Sequence, residues 1–161
     1  NQYEAAPKMF HKALFLVGDF GVGKTYLLGA VAHELAVKGF ETTLLHFPTF
    51  AGEMKQAIYN DKVGPKLDEV KRAPILMIDD IGADSMSAWI RDEVLGVILQ
   101  HRMQEQLPTF FSSNFNMDQL EQHLSVTQRG DEEPLKAKRI MERVRYLSRE
   151  IWVIGENRRN G

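Results

Sequence analysis

The sequence predicts an α/β protein with a mainly parallel sheet and helices on both faces. Three observations predict it. Apolar runs of strand length alternate with helical patterns along the whole chain, the arrangement that builds a parallel sheet. Gly18-Asp19-Phe20-Gly21-Val22-Gly23-Lys24-Thr25 fits G-x-x-x-x-G-K-[ST] and sits between an apolar run and a helical pattern. The continuous run Pro74-Ile75-Leu76-Met77-Ile78 then ends on Asp79-Asp80, as a strand buried on both faces would.

In chain order, residues 1–11 are polar, contain Pro7 and form a lead-in. Lys12 to Val17 is the first strand. The helix from Thr25 carries Leu27, Leu28, Val31 and Leu35 near one stripe, and Gly39 stands where a C-terminal cap would. Thr42 to Phe47 is the second strand, and Pro48 is expected to stop it. Residues 49–72 hold two short helical patterns, divided near Asn60-Asp61 and Gly64-Pro65. Their scattered lysines alternate with acids, which favours a solvated face over a nucleic-acid contact. After the strand at 74–78, residues 85–106 form a long helix with Ile90, Val94, Val97, Ile98 and Met103 inward. Thr109 to Ser113 is the fourth strand. Asn116 caps a short helix through Gln122, and 125–133 is a polar loop. Pro134 opens a helix to about Ser148. Ile151 to Ile154 is the last strand, followed by a polar tail.

Composition narrows the function classes. A chain of 161 residues suits one domain. A net charge of −2 supplies no global basic field, so any nucleic-acid contact must come from a local patch. The absence of cysteine excludes disulfides and cysteine zinc sites and fits a cytoplasmic protein. The five histidines show no close ligand spacing and read as surface or satisfied core residues. No segment approaches the roughly 20 apolar residues of a membrane span.

Ligands of open parallel sheets bind at the carboxyl ends of the strands. The loop at 18–25, Asp79-Asp80 and Asn114 each follow a strand end, so one shared site is the economical reading. Successive N–H groups of Gly18 to Tyr26 would wrap an anion, aided by the N-terminal end of the helix. Lys24 would reach the β- and γ-phosphates of a nucleotide, and Thr25 would ligate Mg²⁺ with Asp79 as its acidic partner. Two adjacent aspartates need such a counter-ion; the alternative is an Asp pair capping the next turn. Asp80 is the candidate base that orients an attacking water, and its short side chain predicts slow hydrolysis. Asn114 would hold that water or a γ-phosphate oxygen, or else is a turn residue. Ala137, Ile140, Val144 and Leu147 form an apolar stripe bordered by Arg139 and Arg143. Like charges four apart repel, so an anion is expected there. A neighbouring subunit's γ-phosphate would make one of them an arginine finger. The alternative is ion pairing with Glu142, Glu132 or Glu133.

Across nearly its full length the sequence resembles the ATPase domain of bacterial replicative helicase loaders, the DnaI/DnaC family of AAA+ proteins, close to its DnaI branch. The resemblance rests on residues 18–25, on Leu-Met-Ile-Asp-Asp-Ile-Gly-Ala (76–83) and on Trp-Ile-Arg-Asp-Glu-Val-Leu (89–95). It rests further on Leu-Pro-Thr-Phe-Phe-Ser-Ser-Asn (107–114), Lys-Arg-Ile-Met-Glu-Arg-Val (138–144) and Gly-Glu-Asn-Arg-Arg (155–159). It implies an AAA+ core with strand order 5-1-4-3-2, ATP as nucleotide, Asn114 as sensor 1 and a finger on the helix of Arg139 and Arg143. It also implies single-stranded DNA binding and assembly with the hexameric replicative helicase, while the arginine pair at 139 and 143 points to ATP-dependent self-assembly. Family contacts to single strands map onto Ser87 and Trp89. An exposed tryptophan would suit base stacking, and a core tryptophan is the alternative.

The expected organisation is a single domain over 1–161. It is expected to be a fragment of a longer chain, lacking the N-terminal zinc-containing, helicase-gripping domain that the resemblance implies, with no C-terminal lid evident. Arg158 and Arg159 are tail candidates for a sensor-2 role. The rival readings are an insertion-sequence transposition helper ATPase, a P-loop kinase of a small metabolite, and a non-hydrolysing nucleotide-dependent module. The motifs at 89–95 and 155–159 favour the loader over the transposition helper.

Overall fold

The computed structural model describes residues 10–155. Arg158, Arg159 and most of the 155–159 motif therefore lie outside the described residues, as do residues 1–9 of the lead-in.

Five strands form one parallel sheet: β1 (Ala13–Val17), β2 (Thr42–His46), β3 (Ile75–Asp79), β4 (Thr109–Ser113) and β5 (Ser148–Trp152). Their order is β2-β3-β4-β1-β5, which is the expected 5-1-4-3-2 read from the other edge. The helices are α1 (Lys24–Val37), α2 (Phe47–Ala57), α3 (Val63–Lys71), α4 (Gly96–Gln104), α5 (Met117–Ser125) and α6 (Pro134–Leu147). None of the described helices is long and apolar enough to cross a membrane.

The strand faces alternate as the pleat requires. Phe15, Val17, Leu76, Ile78 and Phe111 share a core with α2, α4, α5 and α6. Leu16, Ile75, Met77 and Phe110 meet Leu28 and Leu35 of α1 on the opposite face. The register sets Val17 beside Ser113 and His46 beside Asp79, so the residues leaving four strands emerge along one edge.

Several elements depart from the sequence expectation. Pro48 does not end β2; it lies in the first turn of α2, where proline's missing N–H costs nothing. Gly64-Pro65 likewise opens α3 rather than dividing two helices. The long helix expected over 85–106 starts after Ser87, whose hydroxyl accepts the Ile90 N–H at 3.1 Å. A π-helical turn, Ile90–Leu95, then runs into α4. The wider turn shifts the inward stripe. Leu95 and Leu99 join Ile90, Val94 and Ile98 in the core, while Val97 and Met103 are only part-buried. Asn116 caps α5 as expected, through a reciprocal pairing with Gln119 at 2.8 and 2.9 Å. That helix runs on to Ser125 because Leu124 is buried. The loop after α5 carries an isolated antiparallel bridge between Val126 and Glu132. β5 begins at Ser148, three residues before the expected Ile151, directly from the end of α6. The Ser148 hydroxyl donates to the Val144 carbonyl at 2.8 Å and ends the helix. Arg149 and Glu150 lie exposed on this edge strand and carry no apolar signal.

Arg91, 1% exposed, fastens the π-helical turn to the loop that precedes α6. It donates to both oxygens of Asp92, to Leu124 O and to Glu133 Oε1. The hydrogen bond to Asp92 is the main influence raising its pKa. Glu133 is thereby engaged by Arg91.

Candidate active site

The chain leaving β1 turns at once into the phosphate loop. Gly21 (φ 85°) and Gly23 (φ 98°) adopt left-handed backbone that favours glycine. Gly18 is required for a different reason: a Cβ there would lie 2.7 Å from the Val153 carbonyl and 2.9 Å from Val22 Cγ2. The loop therefore passes close against the residue that follows β5.

Lys24 opens α1 and is 8% exposed. Its Nζ donates to Gly18 O at 2.6 Å, Asp19 O at 2.9 Å and Asn114 Oδ1 at 2.9 Å. Burial lowers its pKa, opposed by the charges of Asp80, Asp19 and Asp79. One ammonium thus joins the loop after β1 to the residue after β4.

Thr25 Oγ1 donates to Asp79, with its two carboxylate oxygens at 3.1 and 3.0 Å. Ser112, buried in β4, donates to Asp79 Oδ1 at 2.5 Å and accepts the Asp80 N–H at 2.8 Å. Asp80 stands at φ 63°, a left-handed value uncommon for a residue with a side chain. Its carboxylate oxygen Oδ2 lies 3.4 Å from His46 Nε2.

These groups line a cavity of 370 Å³, whose walls include Gly21, Gly23, Lys24, Thr25, Asp79 and Asn114. The residues fit a Mg²⁺–nucleotide. Threonine hydroxyl and aspartate carboxylate are the hard oxygen donors this ion takes, and the loop with its lysine forms an anion cradle.

Of the residues expected at the site, Gly21, Gly23, Lys24, Thr25, Asp79, Asp80 and Asn114 converge on this cavity, with Phe20 on its rim. Asp19 and Tyr26 are exposed beside it, and Val22 packs toward Gly18. Arg139 is exposed on α6. Arg143 donates to Gly96 O at 2.9 Å, and burial followed by the charge of Arg139 lowers its pKa. Neither arginine lines the cavity. Ser87 faces a second cleft of 340 Å³ that shares Asp80 with the first. Trp89 is part-buried and packed on the main core. Two cavity residues, His46 and Ser112, escaped sequence reasoning. The only signal for each was a polar residue at the carboxyl end of a strand.

A family model described as IstB-like ATP binding protein matches residues 10–160. The chain belongs to this family of ATP-binding proteins. It is 52% identical over 149 residues to the replicative helicase loader DnaI of Bacillus subtilis strain 168, covering 92% of this chain and 48% of that protein. A crystal structure of DnaI superposes with a TM-score of 0.85 at 44% identity, over 95% of this chain and 80% of that one. A primosome-component structure from Streptococcus pyogenes serotype M3 superposes at 0.78 with 48% identity, over 98% and 76% of the two chains. The chain therefore has the AAA+ fold of the loaders. It spans about half the length of the curated relatives it matches.

Proposed function

We propose that this chain is the nucleotide switch of a replicative helicase loader. It binds ATP with Mg²⁺, hydrolyses it slowly, and couples that cycle to single-stranded DNA and to the hexameric helicase during initiation or restart of replication in the cytoplasm. The observation that carries the reading is the joining of three strand ends by two contacts, Lys24 with Asn114 and Thr25 with Asp79. The 52% identity to a loader supports the cellular role.

Lys24 binds the β- and γ-phosphates, exchanging its loop carbonyls for phosphate oxygens. Thr25 and Asp79 hold Mg²⁺, which stabilises charge on the transferring phosphoryl group. With its Oδ1 turned to Lys24, Asn114 presents its amide nitrogen to an anion or water. Asp80 takes the proton of the attacking water. Because its carboxylate sits one methylene nearer the backbone than a glutamate's, hydrolysis is slow. Arg139 and Arg143 lie outside the chain's own cavity, which supports a finger role toward the nucleotide of a neighbouring copy in an ATP-dependent assembly. Ser87, which lines the second cleft, and the exposed part of Trp89, whose remainder packs on the core, are the proposed single-strand contacts. Helicase binding is assigned to the assembled loader, with its grip outside this chain.

Fluorescence anisotropy of a labelled single-stranded oligonucleotide tests the reading, with no nucleotide, with ADP and with a non-hydrolysable ATP analogue. Tighter binding with the ATP analogue is expected. Equal binding in all three states would remove the switch, and phosphate transfer to a small acceptor would replace it with a kinase. Separate Arg139→Ala and Arg143→Ala variants are expected to show one that slows turnover of the assembled protein about a thousandfold. Unchanged turnover in both would end the finger assignment.

A further inference from the structure

The segment that leaves Asp80 lines the second cleft through Asp84, Ser85, Met86 and Ser87, together with Gln128. It is held from β4, from α5 and from the loop beyond α5. The Ile81 N–H donates to Ser112 O at 3.0 Å, and the Ser113 hydroxyl donates to Ile81 O at 2.7 Å. Gly82 stands at φ 91°, and a Cβ there would lie 2.9 Å from Leu120 Cδ1 and 3.0 Å from Phe115 Cδ2. The His123 ring lies 5.0 Å from that of Phe115, and its Nε2–H donates to Asp84 O at 3.1 Å. A carbonyl only accepts, so this contact fixes the proton on Nε2. The Gln128 N–H donates to Met86 O at 2.8 Å.

Phe115 joins this wall to the nucleotide cavity. It directly follows Asn114, whose Oδ1 meets Lys24 Nζ at 2.9 Å in that cavity. ATP brings a γ-phosphate to the Asn114 amide and ADP does not, so the two nucleotides act differently on residue 114. The Phe115 ring touches both Gly82 and His123. Gly82 has no side chain to yield, and closely packed groups transmit strain rather than absorb it. A movement of residue 114 therefore reaches the cleft wall by two contacts of Phe115, one directly on Gly82 and one through His123 on Asp84.

We propose that Phe115 and His123 couple the nucleotide cavity to the second cleft, so that the state of Asn114 sets the cleft wall from Asp84 to Ser87. This rests on the reading of that cleft as the single-strand contact.

Anisotropy titrations of a labelled single-stranded oligonucleotide, without nucleotide and with a saturating non-hydrolysable ATP analogue, test it through the ratio of the two affinities. The parent ratio is expected to be about tenfold, an ordinary coupling between two sites. His123→Ala should reduce it to about twofold or less, while a fluorescent ATP analogue titrated without DNA binds as it does to the parent. Coupling is reciprocal, so the tightening of that analogue by saturating DNA should shrink by the same factor. His123→Gln, which retains a donor toward Asp84 O, should recover part of the ratio. Phe115→Leu, which keeps an apolar side chain but removes the ring face, should lower it as His123→Ala does. Asn114→Ala should abolish the ratio, and adding His123→Ala to it should change nothing more. Melting curves confirm that each variant is folded. An unchanged ratio in both His123→Ala and Phe115→Leu would overturn the coupling and leave the cleft as the DNA site. An equal loss of DNA affinity in both nucleotide states, with the ratio preserved, would do the same. A parent that binds no DNA, or binds it equally with and without the analogue, would overturn both.

Discussion

Lys24→Ala is expected to weaken binding of a fluorescent ATP analogue by about two to three orders of magnitude, the worth of a preorganised donor in a partly buried anion site. The ammonium is 8% exposed and makes three hydrogen bonds of 2.6 to 2.9 Å. Removing it deletes a phosphate donor and strands the Gly18 and Asp19 carbonyls. It also leaves Asp19, Asp79 and Asp80 uncompensated around a site meant for a polyanion. Lys24→Arg is expected to fail nearly as badly. The three acceptors are arranged around a compact ammonium, which a planar guanidinium cannot replace. Titration of the analogue, with a melting curve to confirm folding, checks both variants. An affinity within about threefold of the parent, less than 1 kcal/mol, would remove Lys24 from the site.

Arg102→Met is expected to destabilise the fold by about 3 kcal/mol, because it strands three carbonyls, one buried and two part-buried, at about 1 kcal/mol each. Arg102 is 0% exposed and donates to Lys71 O, Ala73 O, Pro108 O and Thr109 Oγ1. Burial lowers its pKa to about 9, so it remains a cation at neutral pH. It ties α4 to the segments that enter β3 and β4. Met keeps the aliphatic stem, so the loss reports the hydrogen bonds. For a domain of this size the melting temperature should fall by roughly 6–12 °C. These contacts lie at the amino ends of the strands, opposite the cavity. Nucleotide affinity measured well below the melting transition should therefore be unchanged. A shift of less than about 2 °C would mean that water replaces the guanidinium without cost.

Much of this molecule was legible in its residues. The alternation of strand and helix patterns predicted the layers, and the 18–25 motif, Asp79-Asp80 and Asn114 predicted a shared edge. The structure brings these groups to one cavity. The order of the strands came from resemblance to the loader family, since no periodicity encodes which strand lies beside which. The π-helical turn left no trace in composition, and it moved Leu95 and Leu99 inward where Val97 and Met103 were expected. Pro48 and Gly64-Pro65 punctuate the chain, yet the same residues serve a helix start as well as a break. Arg91 and Arg102 are of a type that is mostly exposed; Asp92 beside Arg91 supplies two acceptors, but Leu124 O, Glu133 and every acceptor of Arg102 lie six or more residues away.

The sequence by itself determined the α/β class, the phosphate loop and the acidic strand end, because these signals arise among residues within a turn or a strand of one another. Tertiary structure alone decided that Ser112 braces both aspartates, that His46 meets Asp80, and that Arg143 rests on Gly96. Those contacts depend on strand order, register and helix packing, which join residues far apart in the chain.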